Sequence, residues 1–232
     1  MTSLQLEERI QHVDERITAA CKRSGRNRED VGVIAVTKYV STAMTSKVLD
    51  HGLIHIGENR WQNAEDKWNA LHDRGIWHFI GHLQTNKVKD VIGKFACIHS
   101  LDRLSLAKEI EKKAGQVDLQ VECMLQVNIS GEESKYGLEP EEVVPLLKQI
   151  REFPHVHITG LMTMAPFEED AERTRPVFRG LRELRDDLNR QALTNQPLTH
   201  LSMGMSNDYE VAVEEGATWV RLGSVLVGKE ED

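Results

Sequence analysis

The chain has 232 residues, of which 40% are hydrophobic and 28% charged, as in ordinary globular proteins. Its 29 basic and 37 acidic residues give a formal net charge of −8 at pH 7. This balance excludes a general nucleic-acid or membrane surface, because either needs a basic face. No apolar run approaches the roughly 18 residues of a membrane span.

The three cysteines, Cys21, Cys97 and Cys123, are widely spaced and form no Cys-x-x-Cys pair. Buried free thiols in a reducing compartment explain such cysteines. The N-terminus is amphipathic and lacks the charged-then-apolar pattern of a secretory signal. We therefore expect a cytoplasmic protein.

The first predicted element is an amphipathic helix. Leu6, Ile10, Val13 and Ile17 recur at spacings of 4, 3 and 4 residues, which is the period of a helix face. Gly25 follows two basic residues and marks the end of this helix.

Short apolar runs then alternate with amphipathic segments. Strands are predicted at Gly32–Thr37, Leu53–Gly57, Trp77–Gly81, Cys97–Ser100, Gln120–Asn128, His157–Met162, Leu198–Met203 and Trp219–Gly223. Helices are predicted between them at Thr42–His51, Arg60–Asp73, Thr85–Ile92, Arg103–Lys113, Glu139–Glu152, Ala171–Gln191 and Asn207–Glu215. Repeated strand-then-helix order predicts a parallel sheet covered on both faces.

Eight such strands in this length predict an α/β fold, a single (β/α)₈ TIM barrel with an extra N-terminal helix. A doubly wound open sheet is the alternative. No linker rich in Pro, Gly or Ser interrupts the pattern, so residues 1–232 are expected to form one domain.

Barrel chemistry sits where the strands end, and the first predicted strand ends at Thr37-Lys38. A lysine at that place can form a Schiff base with an aldehyde cofactor. Asn59 follows the second strand, where it either caps the next helix or lies beside a ligand.

The last two strands predict a phosphate-binding cup. Ser206 follows the seventh strand, and Gly223-Ser224 follows the eighth. Hydroxyls and free backbone N–H groups at strand ends bind phosphate. Arg221 inside the eighth strand then needs an anion, another acceptor or an acidic partner from a neighbouring strand.

Other chemistry is not indicated. His78 and His82 are four residues apart in a predicted strand, a span of about 13 Å, so they cannot share one metal ion. Met203 and Met205 have the character of packing residues. The sequence has no G-x-S-x-G, P-loop or G-x-G-x-x-G motif.

Taken together, these segments resemble the pyridoxal phosphate homeostasis proteins. The matching residues are Thr37-Lys38, Gly57-Glu58-Asn59, His78-Phe79-Ile80-Gly81, Leu83-Gln84, Asn86-Lys87, Asn128-Ile129-Ser130, Lys135, Gly137, Gly160-Leu161-Met162, Leu201 to Ser206, Asp208, Arg221, Gly223 and Gly228. The chain departs from the family at Val227, where phenylalanine is frequent.

The resemblance implies a barrel like the N-terminal domain of alanine racemase, holding pyridoxal 5′-phosphate (PLP) as an aldimine on Lys38. Arg221 would face the pyridine nitrogen. The residues assigned to cofactor binding are Lys38, Asn59, Met203, Ser206, Arg221, Gly223 and Ser224. No catalytic residue and no metal ligand is implied.

The implied function is to bind, buffer and deliver PLP and so to maintain vitamin B6 and amino-acid pools, without catalysis. Its partners would be PLP and, transiently, apo-enzymes that need PLP; nothing indicates an obligate interface, so we expect a monomer. The alternatives are a small PLP-dependent racemase or decarboxylase and a phosphate-binding barrel without an aldimine. Lys135 is a candidate for taking up the aldehyde during release, whereas Lys87 has no assigned role.

Overall fold

A computed structural model describes residues 2–228 and contains a closed barrel of eight parallel strands. The strands are β1 (Gly32–Val36), β2 (His55–Glu58), β3 (Ile76–Phe79), β4 (Cys97–Leu101), β5 (Val121–Gln126), β6 (Val156–Met162), β7 (His200–Ser202) and β8 (Trp219–Leu222). The helices are α1 (Ser3–Ser24), α2 (Thr42–Asp50), α3 (Trp61–Leu71), α4 (Val88–Val91), α5 (Leu104–Gly115), α6 (Pro140–Ile150), α7 (Arg175–Arg190) and α8 (Tyr209–Glu214).

Closure of the sheet depends on the pairing of β8 with β1. Gly32 is aligned with Trp219, and Ile34 is aligned with Arg221. The carboxyl ends of the first and last strands therefore lie side by side at one rim. The closed order confirms the predicted TIM barrel and excludes the open sheet.

Several helices are shorter than the sequence predicted. The segment predicted as one helix at Thr85–Ile92 is a 3₁₀ turn, Thr85–Lys87, followed by the single α-helical turn α4. The helix predicted at Asn207–Glu215 begins only at Tyr209. Its N-cap residue is Asp208, whose side chain accepts the backbone N–H of Met205 and makes no capping hydrogen bond.

The main hydrophobic core lies between the strands and the helices. It unites strand residues such as Val33, Ile56 and Phe79 with helix residues such as Val48 and Leu106 in one buried cluster. Burial of this apolar surface is the main force that holds the helices on the barrel.

The barrel interior is filled differently. Its small apolar cluster consists of Cys97, Met124 and Met162, with Met164 and Trp219 packed against it, and no helix contributes to it. Much of the remaining interior is polar, whereas barrels of this kind are usually filled by branched aliphatic side chains.

Helix α1 has the predicted character. A capping box between Thr2 and Gln5 starts it, and Gly25 ends it in the left-handed conformation at φ +69°. It packs on α8, where Arg23 forms ion pairs with Glu210 and Glu214.

An arginine cluster holds the other side of α8. The carboxylate of Glu215, just after this helix, is buried and lies 3.1 Å from arginine nitrogens of α7, those of Arg175, Arg179 and Arg182. Among residues 2–228, no helix is long and apolar enough to cross a bilayer.

Candidate functional site

Lys38 lies at the carboxyl end of β1, two residues after Val36. Its side chain is half-buried, and its Nζ atom lies 4.9 Å from the centroid of the Tyr39 ring. The structure thus puts a lysine amine at the rim of the barrel, as the sequence predicted.

A buried ion pair underlies this lysine. Glu58 at the end of β2 is fully buried, and its Oε1 atom lies 2.6 Å from Nζ of Lys67 on α3. Thr37 donates its hydroxyl to the same oxygen at 2.6 Å, and Lys67 also donates to the Thr37 carbonyl at 2.7 Å. Sequence reasoning missed Lys67, because nothing local indicates that a helix lysine is buried.

The second oxygen of this carboxylate has no hydrogen-bond partner within the described residues, although Glu58 Oε2 is buried. Burial raises the pKa of Glu58, and the charge of Lys67, the bonds from Lys67 and Thr37 and the charge of Lys38 act against that rise. The carboxylate is therefore a buried acceptor close to the candidate lysine.

Asn59 is a second incompletely bonded group. Its Oδ1 atom is buried and has no partner among residues 2–228. It does not cap α3, whose N-cap residue is Arg60. A Cβ atom on Gly81 would lie 2.2 Å from the Asn59 carbonyl oxygen, so the loops after β2 and β3 approach closely only because residue 81 is glycine.

Arg221 points into the barrel from β8 and is almost fully buried. Its Nη1 donates to the Ser202 hydroxyl at 2.7 Å, and its Nη2 donates to the Thr163 carbonyl at 2.9 Å. Within the described chain Arg221 is bonded to a hydroxyl and a carbonyl and forms no ion pair with an acidic residue of a neighbouring strand, so the acidic partner considered from sequence is wrong. Burial lowers the pKa of Arg221 to about 10, so the side chain stays charged at pH 7.

Ser206, after β7, is hydrogen-bonded to the turn after β8, which contains Gly223 and Ser224. The backbone N–H groups of Gly223 and Val225 converge on the Ser206 hydroxyl oxygen, at 3.2 and 3.3 Å. Because both lone pairs of that oxygen accept, the hydroxyl proton is left to donate elsewhere. Ser224 is exposed in the same turn, and Arg9 of α1 donates to its carbonyl oxygen at 3.2 Å.

Met203 directly follows β7. Its side chain is fully buried in the main core cluster, and its N–H donates to the Trp219 carbonyl at 3.1 Å. Gly204 follows with φ +90°, and a Cβ atom there would lie 2.5 Å from the Cβ of Ala212. The chain turns from β7 towards α8 at a place that only glycine fits.

Histidines occupy the barrel interior, a feature that the sequence analysis did not find. Ligand atoms of His78, Cys97 and His99 lie within 4.8 Å of one another. His82, considered with His78 from sequence, lies instead in the loop after β3, stacked on Tyr136 with ring centroids 4.3 Å apart. Strand alternation was the available signal for the interior histidines, since His78 and His99 occupy inward positions.

A polar cleft of about 600 Å³ opens beside Asn59, and Arg60, Trp61, Lys87 and Tyr136 are among its lining residues. The Nζ atom of Lys87 lies 4.0 Å from Asp90. The structure does not place Lys135 in the lining: its Nζ atom lies 4.0 Å from Glu132 in the loop after β5.

Comparison with known proteins gives one consistent family. Residues 10–231 match the family model described as alanine racemase, N-terminal domain. Curated relatives called "Pyridoxal phosphate homeostasis protein" include one from Aquifex aeolicus, 48% identical over 96% of this chain and 97% of that protein. Another, from Pseudomonas aeruginosa, is 41% identical over 95% of this chain and 94% of that protein.

Solved structures agree with this result. PipY of Synechococcus elongatus, solved with PLP bound, is 34% identical with a TM-score of 0.83, over 96% of this chain and 100% of that chain. An alanine racemase from Clostridium difficile is 13% identical with a TM-score of 0.75, over 95% of this chain and 56% of that chain. The second likeness shows the fold alone.

Proposed function

Because the chain belongs to the pyridoxal phosphate homeostasis protein family, we propose that it binds PLP at the rim formed by β1, β7 and β8. The observation that carries this proposal is the pairing of β1 with β8. This pairing brings Lys38, which follows β1, next to Arg221 of β8 and to the turn after β8.

The residues fit the three functional parts of PLP. Lys38 supplies an amine for the aldehyde. At the turn of Gly223 and Ser224, the hydroxyl proton of Ser206 is left as a donor for the phosphate. Arg221 lies two residues before Gly223, a rise of about 7 Å along a strand, and has N–H groups left for the pyridine nitrogen. Asn59, whose buried Oδ1 has no partner within the described residues, would lie beside the ring, whereas the side chain of Met203 is buried in the main core cluster.

The covalent part of the proposal concerns Lys38. Its neutral amine adds to the PLP aldehyde, the aldehyde oxygen leaves as water, and an imine joins the cofactor to the chain. The buried carboxylate of Glu58, whose Oε2 has no hydrogen-bond partner within the described residues, interacts with Lys38 through its charge and is an acceptor for the amine.

Arg221 fits a PLP carrier better than it fits a PLP-dependent enzyme. An arginine donates a hydrogen bond to the ring nitrogen without protonating it, so the ring withdraws electrons weakly. We therefore propose that the chain acts as one PLP-binding unit that buffers PLP and delivers it to apo-enzymes. A cytoplasmic location and a monomeric state complete this proposal; the three free, buried cysteines support the location.

The experiment combines spectroscopy with trapping. Protein purified with PLP should be yellow, should bleach on borohydride reduction, and should carry a pyridoxyl group on the peptide of Lys38. Lys38→Ala should abolish the label, while the matched control Lys87→Ala, on the same rim, should keep it. A colourless wild-type protein with an unmodified Lys38 would refute the proposal and leave the phosphate-binding barrel.

A second assay separates carrier from enzyme. The PLP-loaded protein should restore an apo PLP enzyme and should not racemise or decarboxylate alanine, serine or other amino acids. Turnover that disappears in Lys38→Ala would support the catalytic alternative.

A further inference from the structure

A continuous row of hydrogen bonds crosses the barrel interior. Arg221 Nη1 lies 2.7 Å from Ser202 Oγ, and Ser202 Oγ lies 2.9 Å from His99 Nδ1. His99 Nε2 lies 3.0 Å from His78 Nδ1, and His78 Nε2 lies 3.0 Å from His55 Nδ1. We call these five residues the interior chain: Arg221 of β8, Ser202 of β7, His99 of β4, His78 of β3 and His55 of β2.

The interior chain is buried almost to its end. His99 and Ser202 are fully buried, His78 is 4% exposed, and His55 is half-buried at the start of β2. Burial lowers the pKa of each histidine, that of His78 to about 3. All three rings are therefore neutral at pH 7, and each has one donor and one acceptor nitrogen.

The direction of these hydrogen bonds follows from Arg221. A guanidinium only donates, so the Ser202 oxygen must accept from it. Within the described residues, this hydroxyl makes its other hydrogen bond with His99 Nδ1. The Ser202 hydroxyl therefore donates its proton to His99 Nδ1. His99 then donates from Nε2 to His78, and His78 donates from Nε2 to His55.

This direction stabilises the buried charge of Arg221 without a contact to a carboxylate. Each hydrogen-bond dipole in the chain turns its negative end towards the guanidinium, and such aligned bonds polarise one another. Asp208 acts on Arg221 through its charge, but one of its oxygens is engaged by the Met205 N–H at 2.6 Å. The guanidinium is thus held in place while it keeps its positive charge.

We propose that Ser202, His99, His78 and His55 are positioning residues for Arg221, with all three histidines in the Nε2–H form. They aim the guanidinium at the ring nitrogen of PLP and leave its charge uncompensated by any carboxylate contact. This inference rests on the proposed function for its ligand, whereas the hydrogen-bond direction belongs to the ligand-free protein.

The first test uses ligand-free protein. Nitrogen-15 NMR of labelled histidine, assigned with single variants, should find His55, His78 and His99 neutral and protonated at Nε2 at pH 7. A Nδ1–H form at His99, a doubly protonated ring among the three, or a metal ion bound by His78 and His99 would overturn the proposal.

The second test separates positioning from general structural support. Dissociation constants are measured for PLP and for its analogue with a CH group in place of the ring nitrogen. Ser202→Ala and His99→Gln should weaken PLP binding about tenfold and analogue binding less than about twofold. The control His157→Gln alters a half-buried histidine of β6 that makes no hydrogen bond to the interior chain within the described residues, and it should change neither constant.

Equal losses for both ligands would refute positioning, because the effect would not pass through the ring nitrogen. If His99→Gln does not fold, as judged by its far-UV circular dichroism, Ser202→Ala alone decides. If wild-type protein binds neither aldehyde, the proposed function fails, and the NMR measurement still decides the state of the interior chain.

Discussion

Replacing Lys67 by methionine should strongly destabilise the protein, because it leaves Glu58 as a buried, unpaired carboxylate. The side chains are 6% and 0% exposed, and the charged atoms are 2.6 Å apart. At an effective dielectric constant of about 20, the Coulomb attraction over that distance is roughly 6 kcal/mol. Desolvation of both groups offsets part of it, and removing one partner of a buried pair costs about 3–5 kcal/mol.

Urea unfolding followed by far-UV circular dichroism at pH 7 measures this loss. Lys67→Met combined with Glu58→Gln should cost less than Lys67→Met alone, because no buried charge remains. The control Lys87→Met removes a lysine that is 40% exposed and 4.0 Å from Asp90, and should change stability by less than about 1 kcal/mol. A Lys67→Met protein within about 1 kcal/mol of wild type would refute the reasoning.

The loss should also depend on pH. Burial already raises the pKa of Glu58, and without Lys67 that pKa rises further. A carboxyl group whose pKa is higher when folded takes up a proton on folding, so its penalty disappears below the unfolded pKa. The destabilisation should therefore be smaller at pH 5 than at pH 8, and a pH-independent loss would contradict a buried charge.

Three further variants test other parts of the structure. Ser206→Ala should weaken PLP binding by about 1–3 kcal/mol, measured by fluorescence titration, because a charged acceptor loses a donor; unchanged affinity would exclude Ser206 from the phosphate site. Gly204→Ala should lower the free energy of unfolding by more than about 1 kcal/mol, since φ is +90° and the new Cβ meets Ala212; an unchanged urea midpoint would contradict it. Burial alone raises the pKa of Glu215, but the arginines of α7 outweigh it and lower that pKa. Its stabilisation is present above the usual value of 4.5 and is lost as pH falls further, so Glu215→Gln should match wild type more closely at pH 3 than at pH 7 in urea unfolding.

The fold could be predicted because its signals are local. Apolar runs alternate with amphipathic segments, and the rule that barrel chemistry lies at strand ends selected Lys38, Ser206 and Arg221 for the rim. The late start of α8 could not be predicted, because the Asp208 carboxylate can accept a hydrogen bond either from the helix N-terminus or from the turn before it. Its bond to the Met205 N–H is one of the turn interactions that compete with helix capping.

The remaining site residues depend on tertiary register. The contact between Lys67 and Glu58 requires the packing angle of α3 on β2, which no sequence pattern encodes. Alternation along the strands could have assigned His78 and His99 to the interior, but their hydrogen bond joins ring atoms across β3 and β4. That contact exists only once the barrel has closed.

The position of α1 has a consequence for synthesis on the ribosome. Helix α1 is translated before every strand of the barrel, yet it packs on α8 and reaches Ser224, about 200 residues later. At about 5–20 residues per second, its apolar stripe waits roughly 10–40 s for its docking surface. During that interval the apolar face of α1 stays exposed to solvent, so this helix is a segment to which a chaperone would bind.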